Sequence, residues 1–469
     1  MPPIIQGHTI SPMRSRVVIT GLGPVCANAV GVEAFWESLL ADTAAIGPIE
    51  AFDATGYRSK LAGEVREVKI RDFVPKSYRK ATKVMARDTE LAVIAAKLAA
   101  NDAKLSTRGS EETDQGFAID PARTGCQIGA GLIAADTEEL SRAIVSAKDD
   151  QDAFSMEKWG TEGTGEAGMN NLPPLWLLKY LPNMLACHVT IIHGLEGPSN
   201  TIMGAESSAI LSIGESTRVI ERGSADMCFS GGAESRLNPL GLLRWEYSGR
   251  IAPTNDSTDG SDITKPFDPE SAGGIIGEAG GMIILEDQAH AEDRDAKIYA
   301  QIAGFGAAQS PPPVFPNVIS ARQDSPSDPT SDLGLEAAIE SALHDAQLTA
   351  KDIDLIIPLG LGVPELDRLE LGALYNTFKD ALQNTPLISI ARLVGNTLAG
   401  HGGLMTALGA LCLQNQQIPN AVYAQMQAGK STLEPCPSGK RSIKHVLVCS
   451  GSLGGQTGAL ILKRYNASA

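Results

Sequence analysis

A chain of 469 residues exceeds what one simple core supports and calls for two domains or one large duplicated one. Hydrophobic residues at 43%, 48 glycines and only 5% aromatics describe a soluble α/β protein rich in small residues. A net charge of -16 argues against nucleic acid as a partner, and an acidic protein partner would need a local basic patch on which to land.

The first fourteen residues lack the charged start and apolar core of a signal peptide. No apolar run reaches the roughly 18 residues of a membrane span, so no membrane span is expected and the implied location is cytoplasmic. Arg16 to Gly23 reads as a buried strand ending in a glycine turn, with a helix from Val32 to Leu40. Gly21-Leu22-Gly23 invites a dinucleotide fingerprint, but Cys26 stands where its third glycine belongs and no acidic residue follows at the right distance. Lys76-Ser77-Tyr78-Arg79-Lys80-Ala81-Thr82-Lys83 is the densest basic cluster and leads into a helix from about Val84 to Ala103. It reads either as a solvated face or as a docking patch for an acidic protein. Arg123 to Leu132 is a second strand and turn. Residues 134 to 176 begin helical, then turn polar and Gly-rich around Trp159 to Gly165, as a mobile surface insertion would. His188 and His193 lie in apolar helical or turn surroundings and read as structural.

Gly197-Pro198-Ser199 to Ser208, followed by Ala209 to Ile213, runs a strand of small residues straight into a helix. The bend lifts Glu206 to the helix N-terminus, where a nucleophile would sit. The helix dipole welcomes a carboxylate there. As an acyl acceptor it is poor, because the product is a mixed anhydride, well uphill of a thioester. Next come the strand Ala225 to Ser230 with Gly231-Gly232-Ala233-Glu234, the loop Lys265-Pro266-Phe267-Asp268-Pro269 and the strand Gly280 to Glu286. From about residue 296 the pattern repeats. Tyr299 to Gly306 echoes the opening strand and turn, a helix spans Leu335 to Ala346, and Ile353 to Gly360 is another strand. A Gly-rich helix after His401 and the strands His445 to Ser450 and Gly458 to Lys463 close the chain. Residues 309 to 331, rich in Pro and Ser, read as a loop. The seven cysteines have no CxxC or Cys/His spacing, so free buried thiols in a reducing compartment are expected and no metal site.

Gly197-Pro198-Ser199 seven positions before Glu206 resembles the active-site elbow of the β-ketoacyl-ACP synthases, which carry cysteine where Glu206 stands. The order Gly-Gly-Ala-Glu, Pro-Phe-Asp, Gly-Glu-Ala-Gly-Gly is that of their N-terminal half, and the resemblance covers about residues 16 to 465. It implies a thiolase-like layered α/β fold of two duplicated β/α halves, 16–290 and 291–465, with buried parallel strands. It also implies the loss of most of the catalytic set. The first histidine's motif appears as Leu359-Gly360-Leu361-Gly362-Val363-Pro364, with Asp367 and Glu370 at the family spacing to fix the register. The lysine and second histidine lie in Asn396-Thr397-Leu398-Ala399-Gly400-His401, where Asn396 replaces the lysine and His401 survives. Leu453 of Ser452-Leu453-Gly454-Gly455 replaces the gating phenylalanine, and Ser271-Ala272 replace a common Arg-Asp ion pair.

Lys76, Arg79 and Lys80 match positions at which the family docks acyl carrier protein, and Lys83 of the same cluster is taken with them as a docking candidate. The closest resemblance is to chain length factors, the silent β subunits of type II polyketide and polyene synthases. That implies a heterodimer with an active ketosynthase, no cofactor, and a seam near Leu132, Ile133 and Met203 that sets how long a chain fits. Glu206 is then expected to plug the cavity or to pair with a neighbouring cation. Two further readings stand beside this one. The first is a malonyl-carrier decarboxylase or an acyltransferase using Glu206 or Ser207, although Ser207 lacks a Gly-x-Ser-x-Gly elbow. The second is a homodimeric acyl-chain or carrier-protein binding module.

Overall fold

The computed structural model describes residues 15–110, 116–160, 168–311, 330–427 and 430–466. The tip of the insertion and most of the Pro/Ser-rich loop lie outside these residues. The principal strands are β1 (Val17–Cys26), β2 (Thr124–Gly129), β3 (Ser199–Ile202), β4 (Met227–Glu234), β5 (Ala279–Asp287), β6 (Ala300–Gln309), β7 (Leu355–Ile357), β8 (His445–Gly451) and β9 (Gln456–Lys463). The principal helices are α1 (Val32–Leu40), α2 (Arg87–Asp102), α3 (Thr137–Ser146), α4 (Trp176–Lys179), α5 (Met184–His193), α6 (Ser208–Glu221), α7 (Leu333–Ala346), α8 (Pro364–Phe378) and α9 (His401–Asn415).

The nine strands hydrogen-bond in the order β7-β8-β9-β6-β1-β5-β4-β2-β3. This order is nearly a palindrome about the β1–β6 contact, where Val17–Ile19 meet Ala300–Ile302 antiparallel. On one side β1–β5 and β5–β4 are antiparallel, whereas β4–β2 and β2–β3 are parallel. On the other side β6–β9 and β9–β8 are antiparallel and β8–β7 is parallel, with a parallel bridge from Ile356 to Leu387 in the place of β3. The duplication read in the sequence is therefore present strand by strand. The expectation of parallel strands is corrected: each half mixes both directions, because β5 and β9 return antiparallel beside β1 and β6.

The two Gly-x-Gly motifs are also corrected. Neither ends its strand, since β1 continues to Cys26 and β6 to Gln309. Both strands shift register at the first glycine, between Ile19 and Gly21 and between Ile302 and Gly304. A Cβ on Gly23 would sit 2.0 Å from the Ala95 carbonyl of α2, and one on Gly306 2.0 Å from the Ala338 carbonyl of α7. The glycines let a covering helix touch the sheet backbone.

Helices α6 and α9 pack on each other and on strands of both halves, with α2 and α5 covering one outer face and α7 the other. Every residue of α9 from His401 to Leu413 is buried. Such a helix must be small and apolar all round, and its sequence is.

Candidate functional site

The elbow is built by backbone strain and hydroxyl clamps. After β3 the chain makes a single 3-10 turn, Ala205–Ser207, and enters α6. Ala205 sits at φ 47°, a left-handed conformation that costs a non-glycine residue about 1 kcal/mol or more. The Ser207 hydroxyl donates to the Gly204 carbonyl at 2.7 Å, and the Ser208 hydroxyl accepts the Gly204 N–H at 2.8 Å. These bonds hold the turn closed. They also commit the Ser207 hydroxyl to the backbone, which speaks against its use as a nucleophile.

Glu206 is wholly buried at the bend. Its Oε1 accepts from Arg250 Nη1 at 2.9 Å and from Asn396 Nδ2 at 3.0 Å. Burial pushes the Glu206 carboxyl up, but the Arg250 guanidinium and the Asn396 amide more than offset it and hold it below the usual carboxylate range. Arg250 is itself 4% exposed and stacks its guanidinium over Trp245 at 3.7 Å from the ring centre. The second expected role for Glu206, pairing with a cation, is the one the structure displays. Arg250 is a site residue that sequence reading missed. Its signal was slight: one arginine after Ser248-Gly249 and before the apolar Ile251-Ala252, outside any of the family's motifs.

A second buried acid lies beside the first. Glu234, at the end of β4, pairs with Arg236 and accepts the Ala399 N–H at 3.1 Å. Burial raises its pKa, and the nearby Glu206 charge raises it further.

Asn396 and His401 approach the same interior from the C-terminal half. The loop Leu359–Gly362 is held by two carboxylates of α8. Glu370 accepts the Leu359 and Gly360 N–H groups at 2.8 Å each, and Asp367 accepts those of Leu361 and Gly362 at 2.9 Å. Burial pushes Glu370 up to about 8 and Asp367 to about 6. The two acids expected after this motif thus both hold its backbone, while the Leu359 side chain has no atom to donate. It joins the main apolar core, against which the half-buried Leu453 packs. Ser271 donates to the Gly362 carbonyl at 2.7 Å.

His401 is buried at the N-terminus of α9, with Nδ1 3.4 Å from the Thr397 N–H and 3.1 Å from the Thr397 hydroxyl. An Nδ1 that accepts an N–H leaves the ring proton on Nε2. Burial pushes the imidazole down to about 4, against a smaller upward pull from Glu206. The sign of the pH effect follows. The unfolded histidine binds a proton below about 6.5 whereas the folded one stays neutral, so its contribution to stability is lost as pH falls from 6.5 towards 4. Comparing wild type with His401→Asn by urea unfolding at pH 7 and pH 5.5, the wild-type advantage should shrink by about 1 kcal/mol. An advantage unchanged between the two pH values would mean that the histidine titrates alike folded and unfolded.

His188 and His193 are buried and partnered, as structural histidines should be. His188 Nδ1 lies 2.8 Å from the Tyr78 hydroxyl, and His193 Nδ1 lies 2.8 Å from the Thr107 hydroxyl. Lys76, Arg79, Lys80 and Lys83 are all exposed on two short 3-10 turns ahead of α2, on a surface separate from the elbow. Leu132 and Met203 are 53% and 50% exposed, whereas Ile133 is buried. The described cysteines are free, and six of the seven are buried. No helix among the described residues is long and apolar enough to cross a membrane.

Comparison with known proteins agrees with this architecture. The family model described as Beta-ketoacyl synthase, N-terminal domain, matches residues 14–291, and that of the C-terminal domain matches 319–425. The chain is 27% identical over 454 residues to a 3-oxoacyl-[acyl-carrier-protein] synthase 2 of Staphylococcus aureus (strain COL), covering 96% of this chain and 99% of that protein. It is equally similar, 27% over 455 residues, to the enzyme of the same name from Vibrio cholerae, with the same shares covered. Among solved structures it superposes on the ishigamide ketosynthase/chain length factor with a TM-score of 0.74 at 22% identity, over 97% of this chain and 100% of that one. A type II PKS acyl-carrier protein in complex with its ketosynthase gives 0.75 at 22% identity, again over 97% and 100%. These likenesses carry the thiolase-like layered fold with its two β/α halves, and the matches over both halves show that the chain belongs to the beta-ketoacyl synthase family.

Proposed function

We propose that this chain is a non-condensing ketosynthase homologue that serves, like a chain length factor, as the silent partner of an active ketosynthase in carrier-bound fatty acid, polyketide or polyene synthesis in the cytoplasm. The observation that carries the reading is the closed ion pair at the elbow. Where the family presents a thiol, Glu206 is bound through Oε1 to Arg250 and Asn396 in an interior without solvent contact. A carboxylate so held has neither the nucleophilicity nor the freedom to accept an acyl group. Leu359 offers no hydrogen bond to a thioester oxygen, and each such donor is worth roughly 3 kcal/mol in the transition state.

The partner role draws on the surface. Of the sixteen large apolar side chains exposed among the described residues, eleven lie between Leu132 and Met203. They fall in the stretch of chain that runs from the end of β2 to the end of β3, an edge strand that among the described residues pairs only with β2. An open edge beside that much exposed apolar surface is a docking face. On this reading the two halves divide near residue 290, Leu132, Ile133 and Met203 shape the seam and the length of chain it admits, and the basic loop receives the carrier.

Decarboxylation of a malonyl carrier is the second reading. It is favoured by His401, whose protonated Nε2 has no protein partner and could donate to a thioester oxygen.

One experiment separates them. Co-expression with an active ketosynthase, size-exclusion chromatography and an elongation assay with malonyl-carrier protein should give a one-to-one complex whose activity is lost with the partner's cysteine. Release of carbon dioxide by this chain alone, abolished by Glu206→Ala or His401→Ala, would instead establish the decarboxylase. A homodimer that binds carrier and joins no ketosynthase would leave a binding module.

A further inference from the structure

We infer that two buried acids, Asp88 of α2 and Glu234 at the end of β4, share a single proton, and that loss of this proton loosens the turn that sets His401 at the head of α9. The inference is independent of the reading given to the elbow. Both acids are buried, and Asp88 Oδ1 accepts the N–H of Ser235, the residue after Glu234, at 3.2 Å. The two side chains therefore occupy one interior, where the Glu234 charge acts on Asp88. Counting the cations decides their state. Arg87 is engaged by Glu278 at 2.8 Å and by Glu90 at 3.3 Å, and Glu278 also takes the Ser235 hydroxyl at 2.7 Å. Arg250 is engaged by Glu206, Arg244 on the helix Pro239–Tyr247 is exposed, and burial keeps His401 neutral. Among the described residues Arg236 alone is left for both acids, and its ion pair is with Glu234.

Two neighbouring carboxylates removed from water and facing one guanidinium do not both stay charged, and such a pair titrates as a unit. Burial first, and the Glu234 charge second, push Asp88 up to about 7, and burial raises Glu234 against the pull of Arg236. Glu234 also holds two other segments. Its Oε2 accepts the Ala399 N–H at 3.1 Å, in the 3-10 turn Leu398–Gly400 that immediately precedes His401. On its other side a Cβ on Gly131 would lie 2.0 Å from the Glu234 carboxyl carbon, so the acid rests directly on the backbone after β2. A second full charge on Asp88 repels Glu234 from this bed, and the Ala399 N–H then loses its acceptor. The folded protein holds the proton up to about pH 7 and the unfolded chain only to about 3.8. The stability it lends is thus full below 3.8 and is lost as pH rises through 7.

The test compares wild type with Asp88→Asn, whose amide stands in for the protonated acid, by urea unfolding at pH 6 and pH 8.5. Over this interval the wild-type folding constant should fall about tenfold relative to that of the variant. Asp367 and Glu370, which also titrate in this range, are common to both proteins and cancel. Glu234→Gln removes the neighbouring charge and should move the fall to lower pH. Hydrogen exchange of residues 396–401, corrected for the intrinsic rate, should be faster at pH 8.5 than at pH 6 in wild type and unchanged in Asp88→Asn. Equal pH dependence of wild type and Asp88→Asn overturns the held proton, and an unmoved fall in Glu234→Gln overturns its sharing. Exchange in wild type that is alike at the two pH values overturns the link to His401. Should Asp88→Asn fail to fold, the position of the fall in Glu234→Gln against wild type, together with wild-type exchange, decides the same questions.

Discussion

Replacing Glu206 by alanine is expected to destabilise this protein by about 3–5 kcal/mol, far more than loss of a surface carboxylate, because it strands a buried cation. Arg250 is 4% exposed, and Glu206 supplies its only anionic partner at hydrogen-bond distance among the described residues. A guanidinium cannot shed its charge to escape the interior as a lysine can. The converse change, Arg250→Met, should cost a similar amount by stranding the carboxylate, which would then be protonated. The double variant Glu206→Leu/Arg250→Met should recover most of the loss, since apolar groups of similar volume replace a buried pair at little cost. Urea unfolding of the four proteins completes the cycle, and a coupling energy near zero would show that the pair does not hold the elbow.

Restoring a thiol is expected to restore nothing by itself. Glu206→Cys puts a nucleophile at the head of α6 beside Arg250, a setting that favours the thiolate. Condensation also needs donors at the thioester oxygens, and on the proposed reading the positions that would supply order and donors hold Asn396 and Leu359. Loss of one such donor costs on the order of 10²–10³ in kcat. The single variant should therefore elongate at least 100-fold more slowly than an active ketosynthase under the same assay. Adding Leu359→His and Asn396→Lys, with Arg250→Ala to clear the interior, is the combination from which activity could return. Elongation by Glu206→Cys alone within tenfold of an active enzyme would mean that this interior already stabilises the oxyanion by other groups.

On the proposed reading the retained histidine is silent. His401 lies buried in the same interior as the cluster of Glu206, Asn396 and the Arg250 side chain stacked on Trp245. On the proposed reading, four replaced functional positions and an intact scaffold are what selection for a folded partner would leave, and a docking face between Leu132 and Met203 would supply a reason to keep it folded.

Local chemistry fixed much of this protein in advance. A strand of small residues before an apolar helical run must bend tightly, so Glu206 at a helix N-terminus was legible, as was the Gly-rich helix after His401, whereas the hold of Asp367 and Glu370 on Leu359–Gly362 was not. The repeat of Gly-x-Gly, helix and apolar strand announced the duplication, since each half needs the same close helix contact at Gly23 and Gly306. What the sequence could not give was any fact that depends on residues far apart in the chain. Strand direction was misjudged because a buried strand is apolar whether its neighbour runs parallel or antiparallel. The pairing of Arg250 with Glu206, 44 positions away, and with Trp245 beneath it, was decided by tertiary packing alone. A lone arginine reads as a surface residue until the fold removes it from water, and only then must a carboxylate be found for it.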